Sequence, residues 1–520
     1  DRMSGSVSAT YVKRVKGFFL WSLFIIIMIL SFRVSGLDIK TLVGGLSYSV
    51  SLIKEMFPPD FSRWEKILLL SVETIAMGFW GTILGMTISF PLGFLSAKNT
   101  SDNVILYNIS KGLVNFLRAI PDIMYAIVFV TSLGMGSLAG VLALAISTVG
   151  LLSKFYAEAI ESIDRKPVEA IEATGSHGLG VIRHAVLPQV FPLFMGYNLY
   201  LLDHNIRAAM VLGLVGAGGL GVELFTQMRS FNYQKAAAIL IIIFAIITVI
   251  DRVSARLRKD IIDGKFLSRE NRYKDSLLLL IISVIVILSL YFIPVNFKEM
   301  AYGIPRIWEF LKGIFPPDFS GITVYVRLML ETVGMGISGT FLAVLISIPM
   351  GVLSARNVIH APVIYNIMKE ISNFFRAMPE LMFALIFVAA VGLGPFAGVL
   401  AIAIHTSGFL GKFYAEAIEN VDPKPVEAVE ATGARFIQRI RHSVFPQVMP
   451  LFNSYNLYIL DRNIRASTVM GIVGAGGIGF DLVMSMKLFE YQKTATLILI
   501  ILLTVMLVDW LSSYLRKKVV

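Results

Sequence analysis

The chain has 520 residues, 56% hydrophobic and only 16% charged, with 46 Lys and Arg against 35 Asp and Glu for a net charge of +11. A mean hydropathy of +0.75 over that length excludes an ordinary soluble enzyme and makes the chain an integral membrane protein. The basic excess then marks cytoplasmic loops rather than nucleic-acid binding, and the lack of cysteine excludes disulfides, thiolate metal sites and cysteine nucleophiles.

Lys13, Arg14 and Lys16 precede the first apolar run, Gly17 to Phe32, a layout that a secretory signal peptide would share. Its counterpart at Ser276 to Val295 lies mid-chain, where nothing could be cleaved, so the first run reads as a retained span. FPPDF at 57–61 then leads into the uncharged run Thr74 to Ala97, which ends on SAKN. The stretch from Ile123 to Ser153 is too long for one helix and breaks at Gly134–Gly136. KFYAEAIE at 154 follows, then the polar phrase VEAIEATG at 168–175, RHAVLPQ at 183 and GLVGAGGLG at 213.

Each of these phrases returns 258 residues later, as FPPDF, SARN, KFYAEAIE, VEAVEATG, RHSVFPQ and GIVGAGGIG. From Lys154 to Gln189, 24 of 36 positions match their partners, so residues 1–258 and 259–520 read as two repeats of one fold. A parallel duplication keeps its orientation only if each repeat crosses the membrane an even number of times. Six crossings are expected in the first: about 17–34, 67–97, 111–133, 137–160, 186–212 and 236–254. The predicted fold is an all-α integral membrane protein of two parallel six-helix repeats. Residues 251–275, with eight basic and five acidic side chains, read as cytoplasmic, which places both termini and both polar phrases on that side.

The phrase reads as a short surface helix after Pro167, displaying Glu169 and Glu172 and ending at Gly175. Its copy displays Glu427 and Glu430 and ends at Gly433. A projection repeated on one side suits a partner that is itself two-fold symmetric.

Glu169-Ala170, Gly175 and Leu187-Pro188, with Glu427-Ala428, Gly433 and Pro446 in the second copy, resemble the signature loop of ABC importer permeases. Ile171 and Val429 replace the third Ala of that signature, Ala185 and Ser443 an apolar residue, and Phe445 a Leu. The stretch from Phe375 to Glu419 is similar to the phosphonate-transporter permease subfamily, of type I importer architecture, here with two copies fused in one chain. The resemblance implies that the loop is a coupling helix docked on an ATPase dimer, which binds ATP and Mg while this chain binds no cofactor. It further implies an extracytoplasmic substrate-binding protein, a bacterial inner-membrane location, and phosphonate or a related phosphorus oxyanion as substrate. Alternatives are another small anion, such as phosphate or phosphite, and an ion-driven secondary transporter.

GAGGLG at Gly216 to Gly221 satisfies a dinucleotide fingerprint but follows an apolar helix rather than a strand, so no nucleotide site is expected there. None of the six histidines shows metal-ligand spacing. Charges within the apolar runs are the stronger clue, because such groups are costly unless paired or hydrated. Arg118/Asp122 and Asp203/Arg207 recur as Arg376/Glu380 and Asp461/Arg465, each four residues apart. They read as intrahelical ion pairs, with Arg118, Arg207, Arg376 and Arg465 as candidates for an anion path, since a guanidinium fork suits phosphorus oxyanions. Glu73 and Glu331 are expected to bond to neighbouring helices.

Overall fold

A computed structural model describes residues 25–36, 39–101, 103–262, 297–359 and 361–519, with the single positions 22, 276, 277, 284, 289 and 293. Lys13, Arg14, Lys16, residues 263–275 and most of the run Ser276 to Val295 lie outside these residues.

The first repeat forms α1 (Ile25–Val34), α2 (Ile39–Glu55), α3 (Trp64–Leu95), α4 (Val104–Ala119), α5 (Asp122–Leu133), α6 (Ser137–Glu161), α7 (Arg165–Glu172), α8 (Leu187–Leu212), α9 (Gly219–Arg229) and α10 (Tyr233–Ile262). The second gives α11 (Phe297–Gly313), α12 (Ile322–Ser354), α13 (Pro362–Ala377), α14 (Glu380–Val391), α15 (Pro395–Glu419), α16 (Pro423–Ala431), α17 (Phe445–Met470), α18 (Ile478–Lys487) and α19 (Tyr491–Val519). Among the described residues seven helices are long and apolar enough to cross a membrane, and three bent pairs bring the number to ten if each counts as one crossing.

α3 and α6 form the spine of the first repeat. Gly81, Gly85 and Gly93 of α3 face Leu144, Thr148 and Tyr156 of α6, so matching steps on both helices let the backbones close. α12 and α15 repeat the arrangement with Gly339 on Ile402 and Gly351 on Tyr414. A buried amide locks the third helix in: Asn205 Nδ2 of α8 donates to Thr82 Oγ1 (2.8 Å) and Thr148 Oγ1 (2.7 Å). In the second repeat Asn463 Nδ2 donates to Thr340 Oγ1 (2.9 Å), while its Oδ1 accepts from Thr406 Oγ1 (2.9 Å). Each such bond satisfies polar atoms that lipid could not.

Both α3 and α6 end on the same face of the bundle, where Asn99 Nδ2 donates to the Ile160 carbonyl (2.6 Å) and the Lys98 N–H to Glu161 Oε1 (2.9 Å). The repeated SAKN phrase and the last glutamate of KFYAEAIE are thus one joint. At the opposite face the FPPDF loop is pinned to α10, the Asp60 N–H donating to the Gln234 carbonyl at 3.0 Å. Within that loop the Ser62 N–H donates to Asp60 Oδ1 (2.8 Å) and holds that carboxyl below its ordinary range.

The third crossing differs from the expected single helix over 111–133. α4 and α5 meet at 84°, and α13 and α14 at 90°. Pro121 and Pro379 lack an N–H and hold the residues before them, Ile120 and Met378, in extended backbone, which ends the helix at mid-bundle. The corner fits because Gly150 and Gly408 stand halfway along α6 and α15. An added Cβ would lie 2.9 Å from the Arg118 nitrogen in one and 2.6 Å from the Arg376 nitrogen in the other. α9 was also not expected; it continues outward from the GAGG turn. The turn is held by α3, with the Leu220 N–H donating to Thr74 Oγ1 (2.9 Å) and the Gly219 N–H to Glu73 Oε1 (3.3 Å), so Glu73 does bond to a neighbouring helix, as Glu331 does to Gly477 (2.9 Å).

The repeats are intertwined. α2 packs on α14 and α11 on α5, each crossing to the opposite repeat. α1 also crosses over: Phe32 meets Phe341 edge-on (5.7 Å between ring centroids), and Ser35 Oγ lies 3.1 Å from Ser338 Oγ. In the reciprocal place Trp80 Nε1 donates to Ser289 Oγ (2.9 Å). One apolar core runs through both repeats, from Met77 and Leu144 to Leu381 and Met470. Chains severed between Ile262 and Ser276 and co-expressed should therefore co-purify through a tag on either fragment. Separate purification of the fragments would mean that the crossover contacts do not hold the repeats together.

Candidate functional site

The polar phrases form α7 and α16, projecting from the face where α3 and α6 end. Asp164 and Asp422 cap them, each Oδ1 accepting from the backbone N–H two residues on (3.1 and 3.0 Å). Gln189 Oε1 of α8 in turn accepts from the Asp164 N–H (3.1 Å), and Gln447 Oε1 from the Asp422 N–H (3.0 Å), fixing each projection to the following span. Half-buried Val168 and Ile171 pack against the cluster of Tyr156, Ala185 and Val186. Glu169, Ala170 and Glu172 face outward, as do Glu427, Ala428 and Glu430. The helices close with the Gly175 N–H donating to the Glu172 carbonyl and the Gly433 N–H to the Glu430 carbonyl, both at 2.9 Å. Gly175 has φ +83° and Gly433 φ +73°, yet a Cβ at either would meet nothing within 4 Å. Within this chain, the requirement for glycine is a requirement of the backbone alone. The copies differ in one anchor: Arg439 pairs with Glu430, whereas the corresponding residue near Glu172 is Val181.

At mid-bundle, the intrahelical pairs Asp203–Arg207 and Asp461–Arg465 form as expected. The other two do not, because the corners at Pro121 and Pro379 turn the chain between the partners. Asp122 instead faces His204 across to α8 (3.8 Å). Arg376 bridges the repeats, its Nη2 donating to Asp251 Oδ2 of α10 at 2.9 Å. Glu380 faces His405 of α15 (3.0 Å) and Arg462 of α17 (3.7 Å). Arg118 has no ion-pair partner among the described residues. Arg207 lies within electrostatic reach of Asp251 and of two arginines from the other repeat, Arg376 and Arg462.

Two segments of the chain, residues 89–263 and 347–520, match the family described as binding-protein-dependent transport system inner membrane component. The chain belongs to that family. The permease is 36% identical over 485 residues to "Phosphate-import permease protein PhnE" of Mycolicibacterium smegmatis, covering 92% of this chain and 90% of that protein. A second relative, "Phosphite transport system permease protein PtxC" of Stutzerimonas stutzeri, is 43% identical over 45% of this chain and 85% of its own length. A third, "Putative cryptic phosphonate transport system permease protein PhnE2" of Escherichia coli, is 49% identical over 23% of this chain and 98% of its length. The second relative spans about one repeat of this permease, so the two-copy chain is a fusion of units that occur singly elsewhere.

In this permease His405 and Arg462 are the intramembrane residues that sequence reasoning passed over. Neither recurs at the 258-residue offset that marks the other charges: Ser147 and His204 stand in their places. A departure from the repeat inside otherwise matched polar positions was the available signal.

Proposed function

We propose that this permease moves a phosphorus oxyanion across the bacterial inner membrane, with both termini and α7 and α16 on the cytoplasmic side. Residues 1–258 and 259–520 act as its two pseudo-equivalent subunits. An ATPase dimer, which holds ATP and Mg, docks on the two projections through Glu169, Ala170, Glu172 and Gly175 and through Glu427, Ala428, Glu430 and Gly433. A substrate-binding protein delivers the anion on the opposite face, and ATP-driven closure rocks the repeats between inward-open and outward-open states. The carrying observation is that the three relatives above bear names for phosphate, phosphite and phosphonate, which share a tetrahedral phosphorus with several anionic oxygens. Isolating the binding protein that co-purifies with the permease and measuring its affinity for these three anions tests the reading. A binding protein selective for an amino acid or a sugar would refute it.

Arg118, Arg207, Arg376 and Arg465 are proposed to line the path. Arg207 and Arg465 are each held by an aspartate and Arg376 by Asp251, which leaves Arg118 as the one of the four without a carboxylate partner among the described residues. Arg118→Gln combined with Arg376→Gln is expected to lower anion uptake about tenfold, with the ATPase still co-purifying. Asp251→Asn controls for the lost bridge between repeats and should leave uptake within about twofold. Unchanged uptake in a normally expressed double variant would remove both arginines from the path.

A further inference from the structure

The two repeats share their packing polar groups almost one for one, including Asn205/Asn463, Tyr156/Tyr414, Asp203/Asp461 and Arg207/Arg465. They part around the corners at Pro121 and Pro379. Where the first repeat has Asp122, Ser147, Leu151 and His204, the second has Glu380, His405, Phe409 and Arg462. The four second-repeat residues form one connected group. His405 Nδ1 lies 2.8 Å from the Met378 carbonyl and donates to it, which turns Nε2 toward Glu380 Oε2 (3.0 Å) and Arg462 Nη2 (3.0 Å). The Arg462 guanidinium lies over the Phe409 ring, 4.4 Å from its centroid. Its Nη1 is buried with no hydrogen-bond partner among the described residues. The corresponding first-repeat contact is a single 3.8 Å approach between His204 and Asp122.

Resting on the phosphorus-oxyanion reading, we infer that anion contact within the spans is lopsided: Arg462 of the second repeat takes the oxyanion, held ready by Glu380 and His405, and the first repeat has no equivalent. Arg462 is suited to the role on three counts. It carries a permanent charge in a fork that matches two phosphorus-bound oxygens. It has an unused donor. It also lies within electrostatic reach of Arg207 of the first repeat, and the mutual repulsion of the two like charges is relieved by an incoming anion. Glu380 fills that place in the empty permease. With Nδ1 donating to the Met378 carbonyl, Nε2 is an acceptor and takes its bond from Arg462, which holds the guanidinium in place beside Glu380. His405 is a positioning residue and touches no substrate.

The test is uptake of labelled phosphate, with phosphite and methylphosphonate as competitors, into proteoliposomes carrying the complete transporter with its ATPase and binding protein. Arg462→Gln is expected to lower kcat/KM for uptake about tenfold, equivalent to about 1.4 kcal/mol, with subunit assembly retained. His204→Gln, at the matching position, should stay within about twofold of wild type. Arg462→Lys, which keeps the charge and loses the fork, should fall between. His405→Gln should raise KM with kcat nearly unchanged, a split that general loosening of the bundle would not produce. Equal losses from Arg462→Gln and His204→Gln would overturn the inference, as would wild-type uptake in Arg462→Gln. Should Arg462→Gln fail to assemble, Arg462→Lys decides: reduced uptake supports the contact and full uptake overturns it. A wild-type transporter that moves none of the three anions would refute the substrate reading itself, which separates that failure from failure of the Arg462 assignment.

Discussion

Replacing both Gly175 and Gly433 with valine is expected to cut coupled uptake roughly a hundredfold while the permease still inserts and folds. Both residues sit at left-handed φ, and a β-branched side chain there is a clear outlier. The cost is about 1–2 kcal/mol at each site, and two sites together correspond to a factor of roughly a hundred. The cost stays local. A Cβ at either position meets nothing in this chain, and the spans are held by their own glycine stripes and buried amides. The damage should therefore appear as displaced ends of α7 and α16, and so as lost ATPase docking or hydrolysis without uptake. Single variants should keep part of the activity because the other projection is intact. Co-purification of the ATPase alongside vesicle uptake reads the effect, and full uptake in the double variant would make the phrase a plain surface loop.

Substitutions at Gly150 and Gly408 should do the opposite, breaking the fold. At Gly408 a Cβ would sit 2.6 Å from the Arg376 nitrogen and 2.7 Å from the Ser372 carbonyl oxygen, and at Gly150 2.9 Å from the Arg118 nitrogen. These neighbours are main chain at a sharp corner, so no rotamer change can make room. Overpacking of this kind costs about 1–3 kcal/mol even for a small group. Leucine at both sites is expected to lower the yield of folded, detergent-extracted permease severely. Gly408→Ala alone should destabilise more than Gly150→Ala, in the order of the two distances. Gly196→Ala, on α8 with open space around it, is the control and should be silent. Thermal unfolding of the purified permease measures the series, and equal stability across it would show that the corners have room to shift.

The repeats, the projecting α7 and α16 and the break at Gly134–Gly136 were legible because each leaves a local mark: an offset phrase, a run of polar residues, a glycine pair. The corner at Pro121 was harder. Apolar residues flank it on both sides, so hydropathy continues across a 84° bend, and the four-residue spacing of Arg118 and Asp122 imitates an ion pair that needs an unbroken helix. Pro121 itself was the evidence against that helix. The crossing of α1, α2 and α11 to the opposite repeat left no trace at all, since a duplicated sequence gives the same signal whether each copy folds on itself or around its twin. His405 and Arg462 were missed for a related reason: similarity between copies reports what both need, and residues that make the copies unequal disappear from it.

The claim that this permease imports a phosphorus oxyanion with energy from a separate ATPase is tested most directly in proteoliposomes. The purified permease would be reconstituted with and without the ATPase, with binding protein supplied on the opposite face, and accumulation of labelled phosphate followed. The account predicts accumulation only when both partners and ATP are present, competed by phosphite and methylphosphonate. Accumulation by the permease alone, driven by an ion gradient, would contradict it.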